Sequence, residues 1–128
     1  MLRRIFALAL IMVLLFCGCA SKTEEQNTYD QITQEAAKEM IDTLDVVILD
    51  VREQYEYDEL HISDAVLLPL GAISEETAAA VIPEKDSVVL VYCRSGNRSK
   101  QASDKLVALG YSQVFEFGGI NTWPYEVE

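Results

Sequence analysis

The residues best placed to do chemistry are the thiol of Cys93 and the two arginines that follow it, Arg94 and Arg98. They belong to the heptapeptide Cys-Arg-Ser-Gly-Asn-Arg-Ser at residues 93–99, which lies between the apolar run 87–92 and a helix-like stretch. A loop that runs from a parallel strand into a helix points several backbone N–H groups at one place, where they favour an anion. A thiol held there ionises more readily than a free cysteine. The sequence therefore predicts a nucleophilic thiolate at Cys93.

The rest of this segment, which we call the Cys93 loop (residues 93–99), supplies positive charge and backbone freedom. An arginine guanidinium can bind two oxygens of an oxyanion at once. Gly96 allows a positive φ where the loop must bend tightly. The residues expected to bind substrate are Arg94, Ser95, Gly96, Asn97 and Arg98. Arg98 has a second interpretation, in which it turns inward and braces the loop through Asp50.

The first twenty residues have the pattern of an export signal. Two arginines precede an apolar run at residues 5–16, which is too short for a comfortable membrane span. The segment is similar to a bacterial lipoprotein signal, in which a small residue precedes the cysteine that is lipidated. Gly18 before Cys19 fits that step and predicts lipidation of Cys19. Phe16 stands where leucine is usual, and an uncleaved signal anchor is the alternative.

Composition and charge limit the class of protein. The chain has 128 residues, enough for one domain with a buried core. Its net charge of −11 becomes −13 without residues 1–18, because that loss leaves 8 basic against 21 acidic residues. Such a chain is not expected to bind nucleic acid. Four of the eight basic residues lie within residues 94–105, which would concentrate positive potential near the loop and attract small anions.

Cysteine usage leads to the same thiol. Processing before Cys19 would remove Cys17, and lipidation would occupy Cys19, so Cys93 remains as the free cysteine. A free thiol in an exported protein is a candidate reactive group. One histidine, His61, and one free cysteine cannot supply the ligands of a metal site. Neither a metal nor an organic cofactor is expected.

Short apolar segments alternate with amphipathic ones after residue 28, which predicts a parallel sheet covered by helices. Strands are expected near residues 29–32, 46–49, 66–68, 88–92 and 114–117. Four helices are expected. The first runs from the N-cap Thr33 to about Leu44, the second ends at about Leu60, the third follows Ser74, and the fourth runs from Arg98 or Ser99 to Leu109. The predicted organisation is a signal peptide at 1–18, a lipidated N-terminus and polar tether at 19–28, and one domain at 29–128.

The carboxyl edge of the predicted sheet collects the polar residues that support the loop. Ligands of open α/β sheets bind beyond the carboxyl ends of the strands, and Asp50 and Cys93 both follow buried strands. We expect Asp50, Arg52 and Ser99 to support the site, with Asp50 bonding to the loop or pairing with an arginine. His61 as a general base is disfavoured, because a thiolate stabilised by N–H groups needs no base.

These residues resemble the rhodanese family, whose active-site loop is Cys-Arg-x-Gly-x-Arg followed by a small residue. The Cys93 loop matches at Cys93, Arg94, Gly96 and Arg98, and residues 50–53 resemble the family's Asp-x-Arg element. The resemblance covers most of residues 29–128. It departs at residues 60–65, where Leu-His-Ile-Ser-Asp-Ala replaces the family's Gly-His-Ile-Pro-Gly-Ala and leaves the conformation of that turn open.

The resemblance implies a rhodanese-like α/β fold, with about five parallel strands and helices on both faces, and a sulfurtransferase. Cys93 would take the outer sulfur of a donor such as thiosulfate as a persulfide and pass it to cyanide or another thiol. Related phosphatases and arsenate reductases place cysteine and arginine as Cys-x5-Arg, a ring wide enough for phosphate. The spacing here is Cys-x4-Arg, which favours sulfur transfer.

Two other functions stay open from the sequence. One is a persulfide-carrier or redox module that binds a partner protein and turns over poorly alone, and the other is a small-oxyanion phosphatase or reductase. The expected partners are a small sulfur-containing anion, a thiol or cyanide acceptor, and the membrane through the N-terminal lipid. No motif identifies a protein partner. The expected location is the bacterial cell envelope, as an exported, membrane-anchored lipoprotein.

Overall fold

The computed structural model describes residues 28–128, which form one five-stranded sheet with helices packed against it. The strands are β1 (Asp30–Gln31), β2 (Val46–Asp50), β3 (Val66–Leu67), β4 (Val88–Cys93) and β5 (Gln113–Gly119). Every strand pairing is parallel, and the order across the sheet is β1-β5-β4-β2-β3. The predicted α/β fold with a parallel sheet is confirmed.

Local hydrogen bonds explain where the helices begin and end. The helices are α1 (Gln34–Thr43), α2 (Gln54–Glu59), α3 (Glu75–Val81) and α4 (Asn97–Ala108). The Thr33 side chain accepts a hydrogen bond from the N–H of Ala36 at 3.0 Å, as its predicted N-cap role requires. Ser74 caps α3 in the same way, by accepting from the N–H of Thr77 at 3.2 Å. Gly110 follows α4 with a φ of 98°, which favours glycine.

Each face of the sheet carries its own hydrophobic core, because successive residues of a strand point to opposite faces. One core joins the sheet to α3 and α4 and includes Leu49, Ala78, Val89, Val91 and Leu106. The other joins it to α1 and the C-terminal segment and includes Ala37, Ile48, Leu90, Phe117 and Trp123. Helices therefore cover both faces of the sheet. Because both faces of its inner strands are buried, those strands are continuous apolar segments of the sequence.

The ends of three strands meet at the edge where the sequence predicts the site. Asp50 and Tyr92 are neighbours in the register of β2 and β4, so Asp50 and Cys93 leave the sheet close together. The register of β4 and β5 shifts between Val91 and Cys93, after which Cys93 lies opposite Gly119. The carboxyl edge of the sheet thus brings Asp50, Cys93 and the end of β5 to one place.

The turn at residues 60–65 contains one residue with a left-handed backbone conformation, and that residue is not glycine. Asp64 has a φ of 68° and occupies the place of the second glycine in the Gly-His-Ile-Pro-Gly-Ala pattern. Aspartate tolerates this region better than most side chains. The N–H of Asp64 donates to Oε1 of Glu128 at 3.0 Å, and Ile62 bridges to Val127. The C-terminal residues therefore hold this turn in place.

Predictions about the N-terminus fall on residues that the structure does not describe. The signal peptide at 1–18, the lipidation site Cys19 and almost all of the tether at 19–28 lie outside the described residues. Between residues 28 and 128, none of the helices has the length and apolar character needed to span a bilayer.

Candidate active site

Cys93 is the last residue of β4, and its side chain is nearly enclosed, with 1% of the residue's surface exposed. The chain then reverses within three residues, because Gly96 has a φ of 115° and α4 begins at Asn97. This reversal brings the N–H of Gly96 to 3.0 Å from the Cys93 Sγ and the Ser99 Oγ to 3.4 Å from it. The sulfur therefore lies at the centre of the loop, beside the first turn of a helix.

Hydrogen bonds outweigh burial in setting the charge of this thiol. Burial is the largest single influence and acts to raise the pKa of Cys93. The Ser99 side chain and the backbone N–H groups of Ser99, Gly96 and Ser95 act in the opposite direction, and together they lower the pKa of Cys93 below its ordinary value. The sequence predicts backbone N–H donors in the loop, and those that act on the sulfur belong to Ser95, Gly96 and Ser99. The site favours a thiolate, the nucleophilic form.

The Cys93 loop rests directly on the backbone of β5. A Cβ atom added at Gly119 would lie 1.9 Å from the carbonyl oxygen of Arg94 and 2.5 Å from the nitrogen of Ser95. The N–H of Asn121 also donates to that Arg94 oxygen at 3.2 Å. Only glycine leaves room for the loop at this position, so Gly119 fixes how close the loop lies to the sheet.

Arg94 presents its side chain to solvent at the mouth of an open cleft. The cleft has a volume of about 350 Å³ and is lined by Arg52, Tyr55, Glu56, Glu59, Leu60, Arg94, Ile120 and Asn121. No side-chain hydrogen bond or ion pair of Arg94 is present among residues 28–128. Its guanidinium is therefore not held by a carboxylate of the described residues, in contrast to those of Arg52 and Arg98.

Arg98 is held by a different carboxylate from the one the sequence suggested. The interpretation that Arg98 braces the loop through Asp50 is wrong, because its guanidinium donates to both oxygens of Glu56 at 2.7 and 2.9 Å. This pairing lowers the pKa of Glu56 to about 2. It also raises the pKa of Arg98, to which charge on Cys93 contributes. Glu56 accepts from the N–H of Glu53 as well, so the pair joins the start of α2 to α4.

Asp50 is fully buried, and its hydrogen-bond partners at the edge of the sheet are residues other than Arg98. Arg52 binds both oxygens of Asp50, with nitrogen–oxygen distances between 2.8 and 3.1 Å. The Tyr92 hydroxyl donates to Asp50 at 2.6 Å and accepts from the N–H of Ile62 at 3.1 Å. Arg52 also donates to the carbonyl of Leu60 at 2.6 Å. Asp50 thus pairs with an arginine, as one alternative expected, and ties β2, β4 and the 60–65 turn together.

His61 takes part in the packing of the C-terminal segment. Its Nδ1 lies 2.9 Å from the carbonyl oxygen of Tyr57, and its ring stacks on the Tyr57 ring at 3.8 Å. Its backbone exchanges hydrogen bonds with Glu128. The described part of the chain holds no cluster of three or more histidine, cysteine or acidic side chains suited to a metal ion.

Two acidic residues at the site were not found from the sequence. Glu56 lies in an exposed-looking acidic helix, where nothing distinguishes it from Glu53 or Glu59. Glu116 does carry a signal, because it is the charged residue inside the apolar strand segment Val-Phe-Glu-Phe. It is buried, and its Oε1 accepts from the Ser99 hydroxyl at 2.6 Å and from the N–H of Gly118 at 2.8 Å. A charged residue in a central strand is a reason to look for a partner.

Comparisons with known proteins show what the chain is similar to. The family model described as "Rhodanese-like domain" matches residues 33–125. The "Thiosulfate sulfurtransferase GlpE" of Coxiella burnetii is 38% identical over 96 residues, which cover 74% of this chain and 87% of the relative. The "Thiosulfate sulfurtransferase PspE" of Escherichia coli is 39% identical over 72 residues, covering 56% and 68%. The solved "rhodanese with anions" from Escherichia coli superimposes with a TM-score of 0.61 at 31% identity, covering 66% of this chain and 98% of that one.

The first prediction concerns the close contact at Gly119. Gly119→Ala should lower the free energy of unfolding by about 1–3 kcal/mol and reduce the reactivity of Cys93 toward iodoacetamide, because the Arg94 carbonyl must move. Gly71→Ala is the matched control, since a Cβ there meets nothing within 4 Å, and it should stay within about 0.5 kcal/mol of wild type. Urea unfolding and alkylation rates measure both effects. Equal behaviour of the two variants would show that the loop does not depend on Gly119.

The second prediction concerns the pair formed by Arg98 and Glu56. Their side chains are 30% and 12% exposed, and a double-mutant cycle with Arg98→Ala and Glu56→Gln should give a coupling of about 1–2 kcal/mol at pH 7. The same cycle with Asp50→Asn should be additive within about 0.5 kcal/mol. Because the pKa of Glu56 is lowered from 4.5 to about 2, its coupling should be complete above pH 4.5 and fade as the pH falls toward 2. Coupling to Asp50 instead would contradict the observed pairing.

Proposed function

This chain belongs to the rhodanese family of sulfurtransferases, and from that premise we propose that Cys93 carries a sulfane sulfur atom from a donor such as thiosulfate to a thiophilic acceptor. The observation that carries the proposal is the enclosed Cys93 sulfur with the N–H of Gly96 at 3.0 Å. A thiolate in that position is a nucleophile. Its product, a persulfide anion, would be stabilised by the same N–H donors.

The proposed reaction has two steps and needs no cofactor. The Cys93 thiolate attacks the outer sulfur of thiosulfate, a bond forms between the two sulfur atoms, and the bond to the sulfonate sulfur breaks. Sulfite leaves with the electron pair, and Cys93 becomes a persulfide anion. An acceptor such as cyanide or a thiolate then attacks the outer sulfur of the persulfide, which releases thiocyanate or a new persulfide and restores the Cys93 thiolate.

Arg98 and Arg94 have different roles in this proposal. Arg98 is engaged by Glu56 and keeps α2 against the start of α4, so it supports the loop rather than binding the donor. Arg94 has its guanidinium exposed beside the cleft and is the group proposed to bind the sulfonate end of thiosulfate. The exposed side chains of Ser95 and Asn97 lie on the outer surface of the loop, where they would contact the donor or the acceptor.

The exposed apolar rim of the cleft favours a second candidate, a persulfide carrier that delivers sulfur to a partner protein. Tyr55 is 71% exposed and Leu60 is 43% exposed, and both line the cleft beside Arg94. Exposed apolar side chains beside a reactive group suit contact with another macromolecule. Assay with thiosulfate and cyanide separates the two, because a carrier would form the persulfide but release thiocyanate slowly.

We also propose that the protein is exported and anchored in the bacterial cell envelope by a lipid on Cys19. The support is the sequence pattern of two arginines, an apolar run and a glycine before that cysteine. A tether of polar residues at 20–28 would hold the domain near the membrane surface.

The third prediction tests the nucleophile. Cys93→Ser should abolish thiocyanate formation and leave the unfolding transition close to that of wild type, since the hydroxyl is of similar size but cannot form a persulfide. Mass spectrometry of the wild-type chain after thiosulfate should place one added sulfur atom on Cys93. Activity in the serine variant, or sulfur on another residue, would refute the proposal.

The fourth prediction tests the anion contact. Arg94→Ala should raise KM for thiosulfate about tenfold or more, because it removes a charge-assisted contact of about 1.5–3 kcal/mol, and should leave kcat largely unchanged. Lys100→Ala removes an equal charge from the exposed side of α4 and should have a much smaller effect. Arg94→Lys should recover only part of the loss. If Arg94→Ala matches Lys100→Ala, the donor is not held through this guanidinium, and the carrier candidate gains support.

The fifth prediction tests the anchor. Wild-type protein expressed in a bacterial host should partition with membranes and carry acyl chains on an N-terminal Cys19. Cys19→Ala should be unprocessed or released, and Cys17→Ala should behave like wild type because Cys17 lies within the removed segment. If Cys19→Ala gives a mature membrane protein of unchanged mass, an uncleaved anchor replaces the lipid.

A further inference from the structure

The open cleft beside Arg94 contains two charged side chains that no other side chain engages. Two of its four charged residues, Arg52 and Glu56, form ion pairs with partners outside the cleft. The other two, Glu59 and Arg94, are exposed and form no side-chain hydrogen bond or ion pair among residues 28–128. The cleft therefore offers a ligand one carboxylate and one guanidinium.

The presence of Glu59 is not explained by the stability of its own helix. Glu59 is the last residue of α2, where the helix dipole favours a positive charge, and the last turn of α2 has no basic residue. Glu56 lies three positions earlier, so the two carboxylates are neighbours on the helix surface and repel each other. The described contacts therefore give Glu59 no structural role, and its carboxylate is free to bind a ligand.

The size and position of the cleft suit a small molecule that reacts at the Cys93 loop. Its volume of about 350 Å³ lies at the lower end of the range of about 300–1,000 Å³ that is typical of small-molecule sites. Arg94 of the cleft lining follows Cys93 directly in the chain, and Glu56 of the lining holds Arg98, the other arginine of the loop. A molecule in the cleft therefore lies against the loop that carries the sulfur.

The sulfur donor and cyanide leave the carboxylate of Glu59 unused. Neither thiosulfate nor cyanide has a positive group, so Arg94 attracts such a ligand and Glu59 does not. Once sulfite has left, Arg94 can bind a second ligand, whereas Glu59 can bind only a cation. A molecule that engages both side chains must carry one negative and one positive group. As the acceptor of sulfur it must also carry a nucleophile, and a thiol is the nucleophile that such a molecule can offer.

We propose that Glu59 selects the sulfur acceptor, and that this acceptor is a small thiol with both an ammonium and a carboxylate group, as in an amino-acid thiol. Glu59 binds the ammonium group and Arg94 binds the carboxylate. The acceptor thiol loses its proton to water, and its thiolate attacks the outer sulfur of the Cys93 persulfide. A new sulfur–sulfur bond forms, the bond to the Cys93 Sγ breaks, and the Sγ keeps the electron pair as a thiolate. The acceptor leaves as a persulfide anion. The inference rests on the proposed sulfur transfer through Cys93 and adds the acceptor to it.

The test compares four small thiols as acceptors. The parent protein is the full chain with Cys17→Ser and Cys19→Ser, in detergent; it is loaded with thiosulfate, desalted, and checked by mass spectrometry for one added sulfur atom on Cys93. The acceptors are free cysteine with both charges, cysteamine with the ammonium group alone, mercaptopropionate with the carboxylate alone, and mercaptoethanol with neither. Loss of the added sulfur is followed over time. Each rate on a variant is divided by the rate of the same thiol on the parent, so that differences in intrinsic thiol reactivity cancel.

Glu59→Gln should act on the thiols that carry an ammonium group and on no others. It should slow transfer to cysteine and cysteamine about threefold to fivefold at low salt, which is the upper end of what an exposed ion pair contributes. Glu59→Lys should shift the preference further, toward mercaptopropionate and away from cysteamine. Arg94→Ala should slow cysteine and mercaptopropionate but not cysteamine. The matched control is Asp58→Asn, which removes an equal charge from an exposed position of α2 outside the cleft lining and should leave all four ratios near one.

Three results would overturn the proposal. One is an equal effect of Glu59→Gln on all four thiols, and another is an equal effect of Glu59→Gln and Asp58→Asn. The third is a ratio near one for every thiol and every variant, which would also favour the carrier candidate, whose acceptor is a protein. Failure of loading appears first, in the mass spectrum, and would overturn the proposed function itself. Loading without selectivity would overturn only the assignment of the acceptor.

Discussion

The lowered pKa of the enclosed Cys93 thiol depends on hydrogen-bond donors around the sulfur, most of them backbone N–H groups, and the fold around Cys93 positions these donors. β4 is paired on both sides, by β5 and β2, so its N–H groups become free only at its end, where the chain turns into α4 and where Cys93 lies. The positive φ of Gly96 lets the turn close within three residues, and the missing side chain of Gly119 lets it lie against β5. The sheet, the helix and the two glycines serve one geometric purpose.

The distribution of charge follows the same logic. The described part of the chain has three arginines, and two of them are held by carboxylates: Arg52 by Asp50 and Arg98 by Glu56. These pairs stiffen the sheet edge and join α2 to α4, which limits the positions that the loop can take. Arg94 has no such carboxylate partner among the described residues, and under the proposed function its guanidinium would bind the donor anion on a chain whose net charge is negative.

The sequence predicts the parts of this structure that are decided locally. The buried strands, the cap at Thr33, the helix after Ser74 and the loop with its glycine depend on residues within a few positions of each other, so their patterns can be recognised. The partner of Arg98 is different, because Glu56 lies 42 positions away and follows the same strand as Asp50. Asp50 and Glu56 both lie at the same edge of the sheet, and the packing of α2 determines which of them pairs with Arg98. Glu116 was missed because its strand was assigned by its apolar neighbours, which hid the one residue that breaks the pattern.

The depth of the Cys93 sulfur has a consequence for what a partner molecule encounters. In the proposed persulfide form, a second sulfur lies about 2 Å beyond the buried Cys93 Sγ. The reactive atom would then be this outer sulfur and no longer the Sγ itself. Without the added sulfur, the loop presents the exposed residues Arg94, Ser95 and Asn97 around a buried thiol, whereas the proposed persulfide would add a second, polarisable sulfur atom to that thiol. A molecule that contacts this loop would then meet a different atom in each of the two forms, without any movement of the chain.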